Sequence, residues 1–377
     1  MVVQRSKRVG LNRRALLQAG AAAAALLRPL SVSARQHQGQ SVPGGMLRLI
    51  ANENPYGPSP AARAAAADAV EQGWKYAIRE TRALKKLIAE QEGVGTRNVF
   101  VCAGSTEALR VATLIYGRDR GRVVAANPTF SFLPTYARHL GCKIDEIALD
   151  ENMRHDLGAM AAAVGADTRL LYVCNPNNPT GTLVDGADLG PFIDEVSQRV
   201  PVLVDEAYLD LRDDLPKHTA VRSVVAGKPV IVTRTFSKLH GMAGMRVGYA
   251  IAPPEIVERL EQLRVTQMSY PGVLAAAASL QDAEFLAFSR ARIRECLDIT
   301  AAVFDELGKT YVPSHGNFIY FDTGGSPRDF MGAMRGAGIL TGMSYAPYPT
   351  WARVSMGRVE HMRAFADAVR AYFSRAA

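Results

Sequence analysis

Apolar positions along this chain follow two alternating rhythms. Short β-branched and apolar runs at residues 98–103, 122–125, 170–174, 200–204 and 229–233, bounded by Gly, Pro, Asn or Asp, predict buried strands. Between and before them lie stretches with helical spacing, among them 60–72, 80–92 and a helix opening at Ser105. The alternation from about residue 98 to 250 predicts an α/β fold with a doubly wound, mostly parallel sheet. Farther on, residues 254–264, 274–294, 299–307 and 327–336 predict helices. Residues 317–321 and 351–357 predict strands, and a last helix closes the chain. With a short extended piece at 47–50, this second set predicts a smaller α+β domain. The predicted division is an arm at 35–60 contributing to the small domain, a large domain at 61–262 and a small domain at 263–377.

Composition changes this picture in one place. At 377 residues, 48% apolar and 21% charged, the chain has room for about two domains. A net charge of +8 suggests a polyanionic partner, but six of the 44 Lys and Arg lie in residues 1–34, which hold no acid. Without them 38 basic residues face 36 acidic ones, so no nucleic-acid partner is expected. Residues 1–34 read instead as an export signal: Arg13-Arg14 precede an apolar run ending near Leu27, and Val32-Ser33-Ala34 offers a small-residue cleavage site. The twin arginine resembles the signal that addresses folded proteins for export. The apolar run is too short to span a bilayer comfortably, so a periplasmic or secreted product without a lasting membrane anchor is expected. A disordered basic arm or an uncleaved anchor is the alternative, and a leader that is not used would leave the protein in the cytoplasm. The four cysteines and seven histidines show no metal-ligand spacing.

Candidate chemistry collects where predicted strands end. The run 229–233 leads into Thr235, Ser237, Lys238 and a Gly-rich loop reaching Arg246. A lysine in apolar surroundings beside a cation such as Arg246 loses part of its proton affinity and becomes a nucleophilic amine. Thr235, Ser237 and Arg246 are groups suited to a phosphate. Gly104, Ser105 and Thr106 open a helix whose free N–H groups form an anion site, although Ser105 alone could equally be an ordinary N-cap. Asp205 ends a dry strand, where a carboxylate needs a cation; a surface cap is the plainer alternative. Phe130 could stack on an aromatic ring or simply fill a core. An imine-forming lysine beside a phosphate socket suggests pyridoxal 5'-phosphate.

The segments Asn52-Glu53-Asn54-Pro55-Tyr56, Gly104-Ser105-Thr106-Glu107, Asn175-Pro176-Asn177-Asn178-Pro179-Thr180-Gly181, Asp205-Glu206-Ala207-Tyr208, Ser237-Lys238 with Arg246, and Asn317-Phe318 occur in this order. Together they resemble class I/II pyridoxal-phosphate aminotransferases, nearest the histidinol-phosphate aminotransferase family, over residues 46–377. The resemblance implies fold-type I and a ping-pong transfer of an amino group between an amino acid and a 2-oxo acid. It implies that Lys238 carries the cofactor as a Schiff base and then moves the proton. Asp205 pairs the ring nitrogen, Asn178 and Tyr208 bind the ring oxygen, and Phe130 stacks on the ring. Ser105, Thr106, Thr235, Ser237 and Arg246 hold the phosphate, with Tyr76 reaching it from the other subunit of a homodimer. Arg353 grips the substrate carboxylate and Tyr56 walls the substrate pocket.

Four departures from that pattern bear on the substrate. Thr341 stands where relatives using histidinol phosphate carry an arginine, a loss of about 1.5–3 kcal/mol for a phosphorylated substrate. Leu239-His240 replaces a small-then-aromatic pair, His315 precedes Gly316-Asn317, and Tyr76 is followed by Ala77 rather than proline. Either histidine could line the pocket or serve the core. These features favour an aminotransferase of different or broader amino-acid specificity. Histidinol-phosphate transamination itself is the first alternative, and decarboxylation or oxidation on the same scaffold the second. A non-catalytic binding protein is opposed by the intact Lys238, Asp205 and Arg246.

Overall fold

The computed structural model describes residues 45–342 and 345–376. The leader expected at 1–34, and the arm as far as residue 44, lie outside the described residues. The strands are β1 (Leu47–Leu49), β2 (Val99–Cys102), β3 (Arg122–Asn127), β4 (Lys143–Ala148), β5 (Thr168–Cys174), β6 (Val202–Asp205), β7 (Val230–Thr235) and β8 (Gly248–Ile251). They continue with β9 (Tyr311–Val312), β10 (Phe318–Asp322), β11 (Ile339–Thr341) and β12 (Trp351–Ser355).

Seven strands form the main sheet in the order β2-β8-β7-β6-β5-β3-β4, parallel except for β8, which runs antiparallel between β2 and β7. Alternation along each strand sends side chains to two separate cores. Val202 and Val204 of β6 join Val230 and Val232 in one, while Leu203 and Ile231 join Tyr172 in the other. This explains the unbroken apolar runs in the sequence, since both faces are covered. Edge strand β4 escaped prediction because Lys143, Asp145 and Glu146 break its apolar rhythm, as suits an unpaired edge.

A third core, with Phe304, Phe321, Phe330 and Phe365, gathers the three-stranded sheet β12-β10-β9 and its helices. Leu49 of β1 enters it, because β1 pairs in parallel with β11. Two helical expectations need correction. The stretch 274–294 is split at Asp282, whose side chain accepts from Phe285 N and starts a new helix. That helix, Ala283–Glu306, then runs unbroken through residues 295–298. The preceding helix, Tyr270–Leu280, puts Val273, Ala275 and Ala276 into a core of the main sheet. By core membership, the boundary expected after residue 262 therefore moves past Leu280.

Candidate active site

A cavity of about 340 Å³ opens at the C-terminal ends of β5, β6 and β7, where ligands settle in open α/β sheets. Lys238 lies just beyond β7 and lines it. Its Nζ donates to the Asn52 carbonyl at 2.9 Å and sits 5.2 Å from the centre of the Tyr208 ring. Burial is the largest reason its pKa falls to about 8, and the Arg353 guanidinium is the next. Arg246, the cation expected from sequence, contributes least of the five named influences. Proximity in sequence pointed to the weaker of two contributing arginines, because the strand that brings Arg353 in is over a hundred residues away.

Asp205 ends β6 and is almost wholly buried. Its Oδ1 accepts from Thr233 Oγ1 at 2.8 Å and its Oδ2 from Tyr172 OH at 3.4 Å. Burial raises its pKa to about 6 despite those bonds, with Lys238 a weaker opposing influence. Among the described residues no Lys, Arg or His forms a salt bridge with it, so a buried carboxylate faces the cavity without a cation.

Tyr208, Asn178, Asn52 and Arg353 form one network. Asn52 Nδ2 and Asn178 Nδ2 donate to Tyr208 OH at 3.0 and 3.3 Å. Arg353 donates from Nη1 to Asn178 Oδ1 at 2.5 Å and from Nη2 to the Ile50 carbonyl at 3.0 Å. Its Nε is buried without a partner among the described residues, and the guanidinium lies 5.3 Å from the Tyr345 ring. Ser355 accepts from Asn52 N at 2.8 Å and donates to Asn52 Oδ1 at 2.7 Å, fixing that asparagine in a left-handed conformation that this residue type tolerates.

At the other end lies a cup of hydroxyls and N–H groups. Arg246 Nη1 reaches the Ala243 carbonyl at 2.8 Å and Ser237 Oγ at 3.4 Å, while Nη2 reaches Thr106 Oγ1 at 3.2 Å and the Ala103 carbonyl at 3.3 Å. Thr235 Oγ1 donates to Ser237 Oγ at 2.9 Å, and Ser105 opens the twelve-residue helix Ser105–Tyr116 at the rim. Gly104 has φ +79°, and a Cβ there would lie 2.2 Å from Arg246 Nη2, so only glycine leaves room for the arginine. Arg246 itself is left-handed at φ 55°, a strained backbone held by these contacts.

Eleven of the thirteen expected site residues therefore line one cavity: Ser105, Thr106, Phe130, Asn178, Asp205, Tyr208, Thr235, Ser237, Lys238, Arg246 and Arg353. Two do not. Tyr56 accepts from Val359 N at 2.9 Å and packs edge-on against Phe288, so it does not wall the cavity of its own chain. Tyr76 stands on the surface, 77% exposed. His240 is a core residue, its Nδ1 bonded to Ser279 Oγ at 2.8 Å and its pKa lowered to about 3 by burial. His315 meets Arg212 Nη1 at 2.6 Å and lines a different cavity. Thr341 is buried in β11 and does not line the Lys238 cavity. Unanticipated are Glu53, Thr129, Ser131 and Tyr345 in the wall, and Tyr172, Thr233 and Ser355 behind it. The Thr-Arg-Thr alternation of β7 marks Thr233 as sharing a face with Thr235, a signal the sequence did carry.

An uncompensated carboxylate, an amine of lowered pKa and an anion cup with an arginine in it suit a pyridinium, an aldehyde and a phosphate respectively. The residues fit pyridoxal phosphate. Comparison with known proteins agrees. The model of the family "Aminotransferase class I and II" matches residues 45–369. A histidinol-phosphate aminotransferase of Moorella thermoacetica is 36% identical over 329 residues, 86% of this chain and 85% of that protein. One from Symbiobacterium thermophilum is 36% identical over 330 residues, 86% of this chain and 90% of that protein. The crystal structure of histidinol-phosphate aminotransferase from Sinorhizobium meliloti, in complex with pyridoxal-5'-phosphate, superimposes with a TM-score of 0.81 at 26% identity, covering 87% of this chain and 91% of that one.

Proposed function

The chain belongs to the class I and II aminotransferases, and from that premise we propose that its donors are α-amino acids with unphosphorylated side chains, a range broader than histidinol phosphate. It is a pyridoxal-phosphate-dependent aminotransferase. One observation carries the proposal: among the described residues a single guanidinium, Arg353, serves the substrate end of the cavity, and Thr341, at the place of a second, is buried away from it. When bound, pyridoxal phosphate supplies an electron-withdrawing ring that makes the hydrogen beside the attached nitrogen acidic. The residues of this chain do the rest. Arg353, held by Asn178 and the Ile50 carbonyl, offers its guanidinium to a carboxylate. Lys238 presents an amine able to take and return a proton. Asp205 offers a negative charge to the ring nitrogen, Asn178 and Tyr208 orient the ring oxygen, and the cup around Arg246 holds the phosphate. Tyr345 over Arg353 gives this end an aromatic wall suited to apolar side chains.

A screen of donors settles the choice. Loaded protein is mixed with single α-amino acids and with histidinol phosphate, and the visible absorbance of the cofactor is followed. Conversion by several amino acids at rates matching or exceeding histidinol phosphate is the expected result. Conversion by histidinol phosphate alone would overturn it and leave the second reading, which the identity to histidinol-phosphate aminotransferases favours. Carbon dioxide release or oxygen uptake without a keto-acid acceptor would overturn the transfer of the amino group itself.

Two further parts of the proposal concern the protein in its setting. Trp74, Tyr76 and Ile78, with Val70, form a run of exposed large apolar side chains, which supports a homodimer in which Tyr76 reaches the other subunit's phosphate cup. Sedimentation should show a dimer, and Tyr76→Phe should weaken cofactor binding. A monomer of full activity would contradict this. The Arg13-Arg14 leader supports export of the folded, loaded protein. Arg13→Lys with Arg14→Lys should retain the product in the cytoplasm, whereas mature protein still beginning at Met1 would refute cleavage.

A further inference from the structure

The Asp205 carboxylate is surrounded by three elements in fixed register. Cys174 of β5 and Thr233 of β7 pair with Asp205 itself, and Tyr172, two residues before Cys174, shares its face of the sheet. Both oxygens are consequently met by hydroxyl donors: Thr233 at Oδ1, 2.8 Å, and Tyr172 at Oδ2, 3.4 Å. Thr233 and Tyr172 are completely buried. Neither lines the cavity, so neither touches substrate or cofactor.

An ionised carboxylate only accepts, which suits two hydroxyl donors, whereas a protonated carboxyl keeps some acceptor capacity but must also turn one O–H toward an oxygen that is already donating. The two hydroxyls thus select the charged form and fix the plane in which the carboxylate faces the cavity. We propose that Thr233 and Tyr172 are positioning residues that aim Asp205 at the ring nitrogen of the cofactor and keep it charged, thereby setting how firmly that nitrogen holds its proton. The inference rests on the cofactor being pyridoxal phosphate and goes beyond the assignment of Asp205 itself. The other groups facing Asp205 do not replace the pair. The Cys174 thiol is held neutral by burial, the Tyr208 phenol likewise, and Lys238 is committed to the aldehyde side of the site. The Ala207 N–H adds a third donor that no side-chain change removes. Of the two hydroxyls Thr233 is the stronger, its bond being 0.6 Å shorter than the 3.4 Å of Tyr172.

The test compares the affinities of the wild-type chain and of Thr233→Val, Thr233→Ser and Tyr172→Phe for pyridoxal phosphate and for its 1-deaza analogue, whose ring carries carbon in place of nitrogen. Thr233→Val should weaken pyridoxal phosphate by about tenfold or more while leaving the analogue within about twofold, since only the natural ring offers Asp205 a charge. Thr233→Ser should restore the wild-type ratio, and Tyr172→Phe should lower it to a smaller extent. Equal loss for both ligands, or no loss for either, would overturn the proposal. Failure of the wild-type chain to prefer pyridoxal phosphate over the analogue would instead sink the role of Asp205 that it builds on. Should Thr233→Val not fold, the nitrogen-15 shift of labelled cofactor in Tyr172→Phe decides. Movement toward the unprotonated value supports the pair, and an unchanged shift overturns it.

Discussion

At the scale of single residues, Lys238 shows how a far part of the chain sets the chemistry of a near one. Its amine is depressed to about 8 first by burial and then by Arg353, which β12 brings across from the other sheet. With the role proposed for Lys238, only its free amine would attack the aldehyde, so capture of pyridoxal phosphate should quicken as pH rises, reach half its maximum near 8 and level off above it. Removing the opposing cation in Arg353→Gln should raise the amine's pKa and shift that plateau upward. Stopped-flow absorbance across a pH series measures both. A plateau that stays put in the variant would show that burial alone governs the lysine. Lys238→Ala should lose the covalent attachment altogether, leaving no borohydride-reducible link.

Among elements, β6 and β7 carry the site on one face and a brace on the other. Asp205 and Thr233 face the cavity side, while Glu206 and Arg234, one residue along, turn to the opposite core. There Arg234 is fully buried and bonds Glu206 at 2.9 Å, Glu92 at 3.0 Å and Asp210 at 3.3 Å. Three carboxylates around one guanidinium are tolerable only while the guanidinium is present, and burial already raises the pKa of each acid. Arg234→Met should therefore destabilise the fold by about 3–5 kcal/mol, read from chemical denaturation. A loss below about 1 kcal/mol would show that the acids simply take up protons. Because Asp210 and Glu206 flank Tyr208, partial disorder there should also weaken cofactor binding.

For the whole molecule, the unloaded site is a cost that the cofactor removes. The Asp205 pKa of about 6 lies above its ordinary 3.8, so its contribution to stability is full below pH 3.8 and is lost as pH rises through about 6. Lys238, at about 8 against an ordinary 10.5, contributes fully above 10.5 and loses that contribution as pH falls through about 8. Between those limits both groups oppose folding, each by on the order of 3 kcal/mol. In the proposed roles, Lys238 would be engaged by pyridoxal phosphate and Asp205 would be paired by its ring nitrogen. The difference in Tm between loaded and unloaded protein should accordingly widen from pH 4 to 6, hold to about 8 and narrow above it. Calorimetry of both forms checks this, and a difference that stays flat between pH 4 and 6 would mean that Asp205 is not paired by the cofactor.

What the sequence determined by itself was local and periodic. Apolar runs announced strands buried on both faces, helical spacing announced the helix at 327–336, and the strand-end residues Asp205, Asn178, Ser237 and Lys238 announced a site because α/β sheets bind ligands there. Edge strand β4, the cap at Asp282 and the antiparallel β8 were hidden because charge, a single capping side chain and strand direction leave little trace in apolar spacing. Tertiary structure alone decided which arginine faces Lys238, that Tyr56 turns to Val359, that His240 belongs to the core, and that Thr233 and Tyr172 hold Asp205. These depend on register between strands far apart in the chain. A one-residue slip reverses every side chain of a strand, and no local pattern fixes which strand lies next to which.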